Sequence, residues 1–310
     1  MIGDVVLDEY LIGRATRLSR EAPVPVLELV ERRWSPGAGG NAAANVAALG
    51  GRPVMIGVMG SDMTGERLRA ELARADIDGS GLVESSERTT AIKTRIMATH
   101  AAAHPQQVAR IDELPSSVLS ANLERQVIGQ ILAHVPTAEA VLVSNYRGGV
   151  VTRAVMSAAV ETASAHAIPT CVDTQGDLLG FKGYTLVKSN QPDAEAALGQ
   201  RLSSDTAFQQ AGAELVRKLV AHHVVITRGA DGMSVVGSDG RHTHLAPTNR
   251  TEVWDVTGAG DTVIAVLALG LAARVDPILV AELANAAAGL IVRRIGVATV
   301  SPAELLASLS

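Results

Sequence analysis

The sequence predicts an α/β fold: a doubly wound, mostly parallel sheet with helices on both faces and a small β-sheet lid. Three observations predict it. From about residue 117 the chain alternates helix and strand patterns: a helix to His134, a strand Ala140-Val141-Leu142-Val143-Ser144, a helix over 151–166, and strands at 169–173 and 184–189. That βαβ rhythm builds parallel sheets. Residues 89–97 alternate with period two and residues 108–112 form a second short strand, as expected of a sheet with one exposed face. A glycine turn at 258–260 opens directly onto the apolar run Val263-Ile264-Ala265-Val266-Leu267-Ala268-Leu269, which has helical length.

A chain of 310 residues sits near the upper limit for one hydrophobic core, so one domain over 1–310 with a lid appended is the expected organisation. The lid strands come from about 14–33 and 88–112. Hydrophobic residues make up 47% and charged ones 19%, a globular balance. Aromatics are only 2%, so Ala, Val, Leu and Ile must pack the core. A net charge of −5 with a pI near 5.9 offers no general attraction to nucleic acid or anionic membrane. An anionic substrate therefore needs a local basic pocket. The single cysteine, Cys171, cannot form an internal disulfide and reads as a core thiol in a reducing compartment. No apolar run reaches the ~18 residues of a membrane span and no basic and apolar leader opens the chain, so the expected location is the cytoplasm.

In chain order, residues 1–10 read as the second half of a strand followed by its exit loop, with the strand's first half missing and Asp8 in the loop. Pro23 and Pro25 stand two apart in an alternating run, which suits an edge strand. The segment Gly37-Ala38-Gly39-Gly40-Asn41-Ala42-Ala43-Ala44-Asn45 reads as a glycine loop entering a helix of small residues. Asp62 and Gly65 mark a turn. Lys93, Arg95 and Arg110 lie on the lid strands, either as solvated faces or, if the substrate carries a phosphate, as its clamps. In the βαβ region Asn145, Asp173 and Asn190 fall at the carboxyl ends of strands, where ligands of such sheets gather.

The densest chemistry lies at Trp254-Asp255-Val256-Thr257-Gly258-Ala259-Gly260-Asp261-Thr262. Glycines at 258 and 260 remove the Cβ atoms that would keep an anion from the backbone, and the amides at the helix start point toward whatever sits there. Asp261 at the same helix mouth can take a proton from a hydroxyl while those amides hold charge on the group under attack. A capping acid and a plain turn would explain either feature alone. Two acids bracketing Thr-Gly-Ala-Gly before a long apolar helix is the narrower pattern and favours function.

This stretch resembles the C-terminal signature of the ribokinase (PfkB) family of carbohydrate kinases. The resemblance implies a ribokinase-like fold, with Asp261 as catalytic base and Gly258, Ala259 and Gly260 as the anion hole for the transferred phosphoryl group. Closer similarity appears in Gly3-Asp4-Val5-Val6-Leu7-Asp8-Glu9-Tyr10 and Arg17-Leu18-Ser19-Arg20-Glu21-Ala22-Pro23-Val24-Pro25-Val26. Both resemble the kinase domain of the bacterial heptose 7-phosphate kinases of ADP-heptose synthesis, and the similarity covers almost the whole chain.

The resemblance further implies that Asp8, Gly37, Gly39 and Asn41 hold the sugar, with Lys93, Arg95 and Arg147 available to a substrate phosphate. It implies ATP with Mg²⁺ held by Asn190 and Asp193 through water, a nucleotide edge at Thr227, Gly229 and Gly232, and adenine packed near Asn285. Carbonyls near Asp255 and the turn at 296–299 can hold K⁺ in the family. A homodimer through the lid is expected, since an open strand edge seeks a partner.

The sequence departs from the pattern at four places. Ala38 replaces the second of two adjacent glycines, Asp193 stands where the family has glutamate, and Gly148 and Gln175 stand where the heptose kinases have lysines. The lost lysines remove cationic contacts that Arg147 alone is placed to replace. Other readings stay in view. Gly37-Ala38-Gly39-Gly40-Asn41-Ala42 fits a dinucleotide fingerprint, with Asp62 about twenty residues on, but residues 31–36 separate it from its strand. No Gly-x-x-x-x-Gly-Lys-[Ser/Thr] loop occurs, which excludes a P-loop kinase. A kinase for another sugar, or a non-catalytic sugar or nucleotide sensor on the same fold, remains as an alternative.

Overall fold

Alternation along the central strands decides the layering, because successive side chains of a strand point to opposite faces. Val143, Val172, Val187 and Val224 enter one buried cluster, while their neighbours Leu142, Cys171, Leu186 and Val225 enter another on the opposite face. Strands buried on both faces read as unbroken apolar runs, and helices must cover each side. The computed structural model describes residues 1–99, 105–115, 118–248, 253 and 255–309. Trp254, which opens the glycine stretch, lies outside the described residues.

The chain runs β1 (Ile2–Gly3), β2 (Val5–Leu18), β3 (Pro25–Ala38), α1 (Gly39–Ala48), β4 (Gly57–Gly60), α2 (Met63–Arg74), β5 (Leu82–Ser85), β6 (Ala91–Thr99) and β7 (Gln106–Glu113). The βαβ half follows: α3 (Ala121–His134), β8 (Val141–Asn145), α4 (Arg153–Ala165), β9 (Thr170–Thr174), β10 (Leu186–Asn190), α5 (Gln191–Leu198), α6 (Asp205–Leu219) and β11 (His223–Thr227). Antiparallel β12 (Met233–Gly237) and β13 (His242–Leu245) precede the last helices, α7 (Ala259–Ala272), α8 (Pro277–Ile291) and α9 (Pro302–Ser308).

The main sheet has the order β1-β8-β9-β10-β11-β12-β13, parallel from β1 to β11 and antiparallel beyond. Side chains of α3, α4 and α6 pack on one face and those of α1, α7 and α8 on the other. Both clusters are almost wholly aliphatic, as an aromatic content of 2% requires. The α/β ribokinase-like architecture with a lid is therefore observed.

The lid is a separate four-stranded sheet, β3-β2-β6-β7. Its bounds differ from expectation. The first lid strand opens at Val5 rather than near residue 14, and what reads as an exit loop carrying Asp8 is the buried root of β2. Val5, Val6 and Leu7 are all buried there, and Asp8 sits in register with Ser35 on β3 and Lys93 on β6. A strand buried at its root and exposed at its tip carries no uniform period, so the sequence pattern conceals it. The prolines mark the start of β3, which is an edge strand as expected.

Candidate active site

Capping singles out two helix starts. Among the described helices α1 to α9, seven begin on a side chain that accepts a hydrogen bond from the first turn: Asp62, Ser120, Thr152, Asn190, Ser204, Asp276 and Ser301. The exceptions are α1, which follows Ala38, and α7, which follows Gly258. A helix start without a side-chain cap leaves its amides for a ligand, and the helix dipole favours an anion there.

The bare turn before α7 is required by its neighbours. Gly258 has φ +81, and a Cβ there would lie 2.8 Å from Asn41 Nδ2. A Cβ on Gly260 would lie 2.8 Å from Lys188 Nζ. Asn41 on α1 and Lys188 on β10 therefore close around the turn from two sides. Of the three amides in the expected anion hole, that of Ala259 already reaches Val256 O at 3.3 Å.

Asp261, in the first turn of α7, is 4% exposed. Its Oδ2 accepts from Asn41 Nδ2 at 2.6 Å and its Oδ1 from the Tyr146 hydroxyl at 2.6 Å. Asn45, one turn along α1, donates to Asn41 O and accepts from the Thr262 hydroxyl, so α1 and α7 are locked together beneath the carboxylate. Burial pushes the Asp261 carboxyl up to about 6, against the pull of the Tyr146 and Asn41 hydrogen bonds. A base tuned toward neutrality suits proton abstraction from an alcohol.

Beneath Gly260 lies a buried ion pair, Lys188 Nζ to Asp173 Oδ2 at 2.7 Å. Burial also raises the Asp173 carboxyl, opposed by Lys188. Arg147 is exposed, with φ +62, and its guanidinium stem lies over Gly176, in the loop after β9. It thus stands by the position of the missing lysine at Gln175. Asn190 caps α5 by accepting from Asp193 N, and its amide returns a bond to Asp193 Oδ2, while Gly176 N reaches Asp193 Oδ1 at 3.3 Å. The structure thus gives the Asn190 and Asp193 pair a capping role and sets it beside the loop at Gly176.

On the lid side Asp8, 4% exposed, pairs with Arg95 at 2.6 Å. Gly37 permits this, because a Cβ there would strike Asp8 Oδ2. Arg95 is therefore no unpaired clamp: its charge is opposed by Asp8. A cavity of about 470 Å³ adjoins the pair, lined by Tyr10, Gln106, Gln107, Asp255 and Thr257 among others. Lys93 reaches inward, its ammonium 5.6 Å from the Tyr146 ring centroid. Arg110 faces solvent and pairs with Asp112, so the solvated-face reading holds for it. Gly39 must also be bare, since a Cβ there would meet Asp4 O at 2.9 Å.

On the far side lie the residues expected to form a nucleotide edge. Thr227 ends β11 beside Asn190 of β10, and Gly229 and Gly232 follow in left-handed conformations. Gly229 meets nothing within 4 Å of a built Cβ, so the turn is open there, whereas Gly232 is crowded by Leu245 O. Asn285, on α8, donates its side-chain amide to Ala246 O at 2.6 Å. That bond ties α8 to the loop after β13. Asp255 accepts from Thr257 N and Gly296 N; burial raises its carboxyl, but these bonds outweigh it and hold the group below the usual range.

The fold thus gathers Asn41 and the 258–261 turn into one site, with Asp8, Gly37 and Arg95 forming its lid wall. Three residues outside the expected set also belong. Lys188 was visible as a lone lysine in the strand Leu186-Val187-Lys188-Ser189-Asn190. Tyr146 follows the carboxyl end of β8. Asp4 accepts from Tyr146 N, Gly148 N and Val150 N and so shapes the loop that presents Tyr146; no local spacing signals a contact between residues 142 to 146 positions apart.

Comparison with known proteins agrees with this geometry. The model of the "pfkB family carbohydrate kinase" matches residues 5–304. The chain is 39% identical over 311 residues to the bifunctional protein HldE of Trichlorobacter lovleyi, covering 100% of this chain and 62% of that protein. It is 40% identical over 310 residues to the HldE of Geobacter metallireducens, with the same coverage. The chain therefore spans about 62% of the length of these relatives. Phosphofructokinase-2 from Escherichia coli, solved in complex with potassium, superposes with a TM-score of 0.81 at 22% identity, over 99% of this chain and 97% of that one. Arabidopsis thaliana ribokinase, complexed with ribose and ATP, gives 0.75 at 16% identity, over 100% and 97%. With a family match running from the root of the lid to α9 and Asp261 seated at the helix mouth that the signature implies, the chain belongs to the pfkB family of carbohydrate kinases.

Proposed function

We propose that this chain transfers the γ-phosphoryl group of ATP to O1 of a heptose 7-phosphate, on the way to ADP-heptose and lipopolysaccharide. The reaction type rests above all on one observation: the two helices without side-chain caps meet at the buried carboxylate of Asp261. The acceptor rests on the similarity at residues 3–26 and on identity near 39% to HldE proteins along the chain.

In this reading ATP lies along the 227–232 and 255–261 loops, and the sugar lies between Asp8, Asn41 and the lid. Asp261 takes the proton of the acceptor hydroxyl as its oxygen attacks the γ-phosphorus in line, and the bond to the β–γ bridging oxygen breaks, leaving ADP. The amides of Gly258 and Gly260 receive the charge on the transferred group, joined by that of Ala259 once it leaves Val256 O, with the Lys188 ammonium behind Gly260. Such transfer depends on positioning and electrostatics more than on covalent chemistry. Magnesium, when bound, would neutralise phosphate charge; Asn190 and Asp193 would hold its water shell, and the Asp193 carboxylate, in the first turn of α5, suits that role chemically. Potassium would lie against Asp255, whose depressed carboxyl suits a cation, although Arg294 already binds Thr299 O in the neighbouring turn.

A second reading, a kinase for another sugar or sugar phosphate, is favoured by Gly148 and Gln175 in place of lysines and by the Asp8 partner that opposes Arg95. A non-catalytic sensor is disfavoured by the intact Asp261 site. An assay of ADP release over a panel of sugars and sugar phosphates separates the three. Turnover highest with heptose 7-phosphate supports the first, preference for another sugar the second, and binding with no turnover the third.

We also infer a homodimer through the lid. All of β7 is exposed, and Leu29, Val30, Val108 and Ile111 stand open on the lid strands. Among structural neighbours, phosphofructokinase-2 from Escherichia coli has a tetrameric inhibited form. Among the described residues no helix is long and apolar enough to cross a membrane; a cytoplasmic setting accords with the use of ATP.

A further inference from the structure

Asp261 carries a hydrogen-bond donor on each of its carboxylate oxygens, and the two donors differ in kind. Asn41 is an amide and holds Oδ2 from inside α1. Tyr146 is a hydroxyl and holds Oδ1 from the loop after β8. A hydroxyl bound to the base is what an acceptor alcohol must become. The Tyr146 ring lies between the base and the lid: its oxygen is 2.6 Å from Asp261, it packs on the small cluster of Val6, Ala38 and Ala91, and Lys93 of lid strand β6 stands 5.6 Å from its centroid. The acceptor is expected in that same space.

Resting on the kinase reading above, we propose that Tyr146 is a gate on the base, holding Asp261 when no acceptor is present and yielding that oxygen to the acceptor hydroxyl as the sugar enters beneath the lid. The gate has a fixed hinge. Asp4 accepts from Tyr146 N and from Gly148 N and Val150 N, which pins the backbone and leaves rotation of the side chain as the available motion. The phenol cannot replace the base, because burial and the nearby Asp261 charge keep it protonated well above the ordinary range. Its function is exclusion: with Oδ1 occupied by the phenol, water bound in place of the sugar is not deprotonated, so ATP is not hydrolysed without an acceptor.

Tyr146→Phe removes the competing hydroxyl while keeping the ring. Expected are an acceptor KM about 10-fold lower, since a competing hydrogen bond to a charged group is lost, and a several-fold rise in acceptor-free ATP hydrolysis. A large fall in kcat with unchanged KM and unchanged hydrolysis would overturn the gate and leave Tyr146 as a fixed support of the base. A second measurement keeps the Tyr146 hydroxyl in place. With fluorotyrosine at the three tyrosines, Tyr10, Tyr146 and Tyr184, the Tyr146 resonance should move on adding D-glycero-D-manno-heptose 7-phosphate and stay with ATP alone. A resonance that never moves in an enzyme that turns over that sugar rejects the gate. Absence of turnover with any sugar rejects the kinase reading instead, and acceptor-free hydrolysis by Tyr146→Phe then still reports on the gate.

Discussion

Asn41 Nδ2 lies 2.6 Å from Asp261 Oδ2, joining residues 220 positions apart and tying the start of α1 to the start of α7. The bond orients the carboxylate rather than performing chemistry. Asp261→Asn should lower kcat by ~10²–10⁴-fold, the range of general-base contributions, while the ATP dissociation constant stays within about 3-fold. Steady-state kinetics and calorimetric titration of a nucleotide analogue decide it. Equal turnover by variant and parent ends the assignment.

Burial pushes the Asp261 carboxyl up to about 6. With Asp261 as the proposed base, activity requires the carboxylate, so kcat/KM should fall below about pH 6 with a slope approaching one. The apparent value belongs to the cluster of Asp261, Asp173, Lys188 and Tyr146. Stability runs the other way. A carboxyl whose folded pKa exceeds the ordinary 3.8 binds its proton more tightly in the folded state, so its contribution improves as pH falls from 7 through 6 and is complete near 4. The stability of Asp261→Asn relative to the parent should therefore decline over that window. Denaturation midpoints at pH 7, 6, 5 and 4 measure it; a constant difference would mean that burial does not perturb this group.

The βαβ half and the glycine turn were legible because both depend on local pattern: buried strands are continuous apolar runs, and a helix mouth needs its glycines beside it in sequence. The lid root was not. Asp8 reads as a loop acid because nothing near it shows that β3 and β6 flank it. Arg95 reads as a solvated face or a clamp, and never as half of an ion pair, for the same reason: its partner stands 87 positions away. Lys188 lies in a strand the sequence does show, but its role stays hidden until its partner Asp173 on the neighbouring strand is seen. What the sequence hides is pairing across long separations, which only the topology supplies.

Lys188 and Asp173 can be tested together. Removing Lys188 alone would strand a buried carboxylate at a cost of about 3–5 kcal/mol, confusing folding with function. The double variant Lys188→Met, Asp173→Asn removes both charges and should fold. If the ammonium behind Gly260 holds phosphate charge, ATP affinity and kcat/KM should each fall at least ~10-fold, the loss of one charge-assisted contact. Parent-like kinetics would confine the pair to a structural role.

Ala38 carries the strain of the missing glycine. Its φ of 52 and ψ of −127 form a backbone geometry that glycine adopts freely and residues with a Cβ avoid, with a cost of about 1–3 kcal/mol. Ala38→Gly relieves that strain but gives up a buried methyl worth about 0.8 kcal/mol and adds freedom to the unfolded chain. The terms nearly cancel, so the change in stability should lie within about 1 kcal/mol of zero. Ala43→Gly is the control, being also buried but inside α1. It loses the same methyl without relieving strain and also carries the helix penalty of glycine, so it should destabilise by about 1.5–2 kcal/mol. Urea unfolding of the two variants beside the parent checks the order; equal losses would show that residue 38 bears no strain. Ala38→Val should be the least stable of the series, because a β-branched side chain fits that backbone region worst.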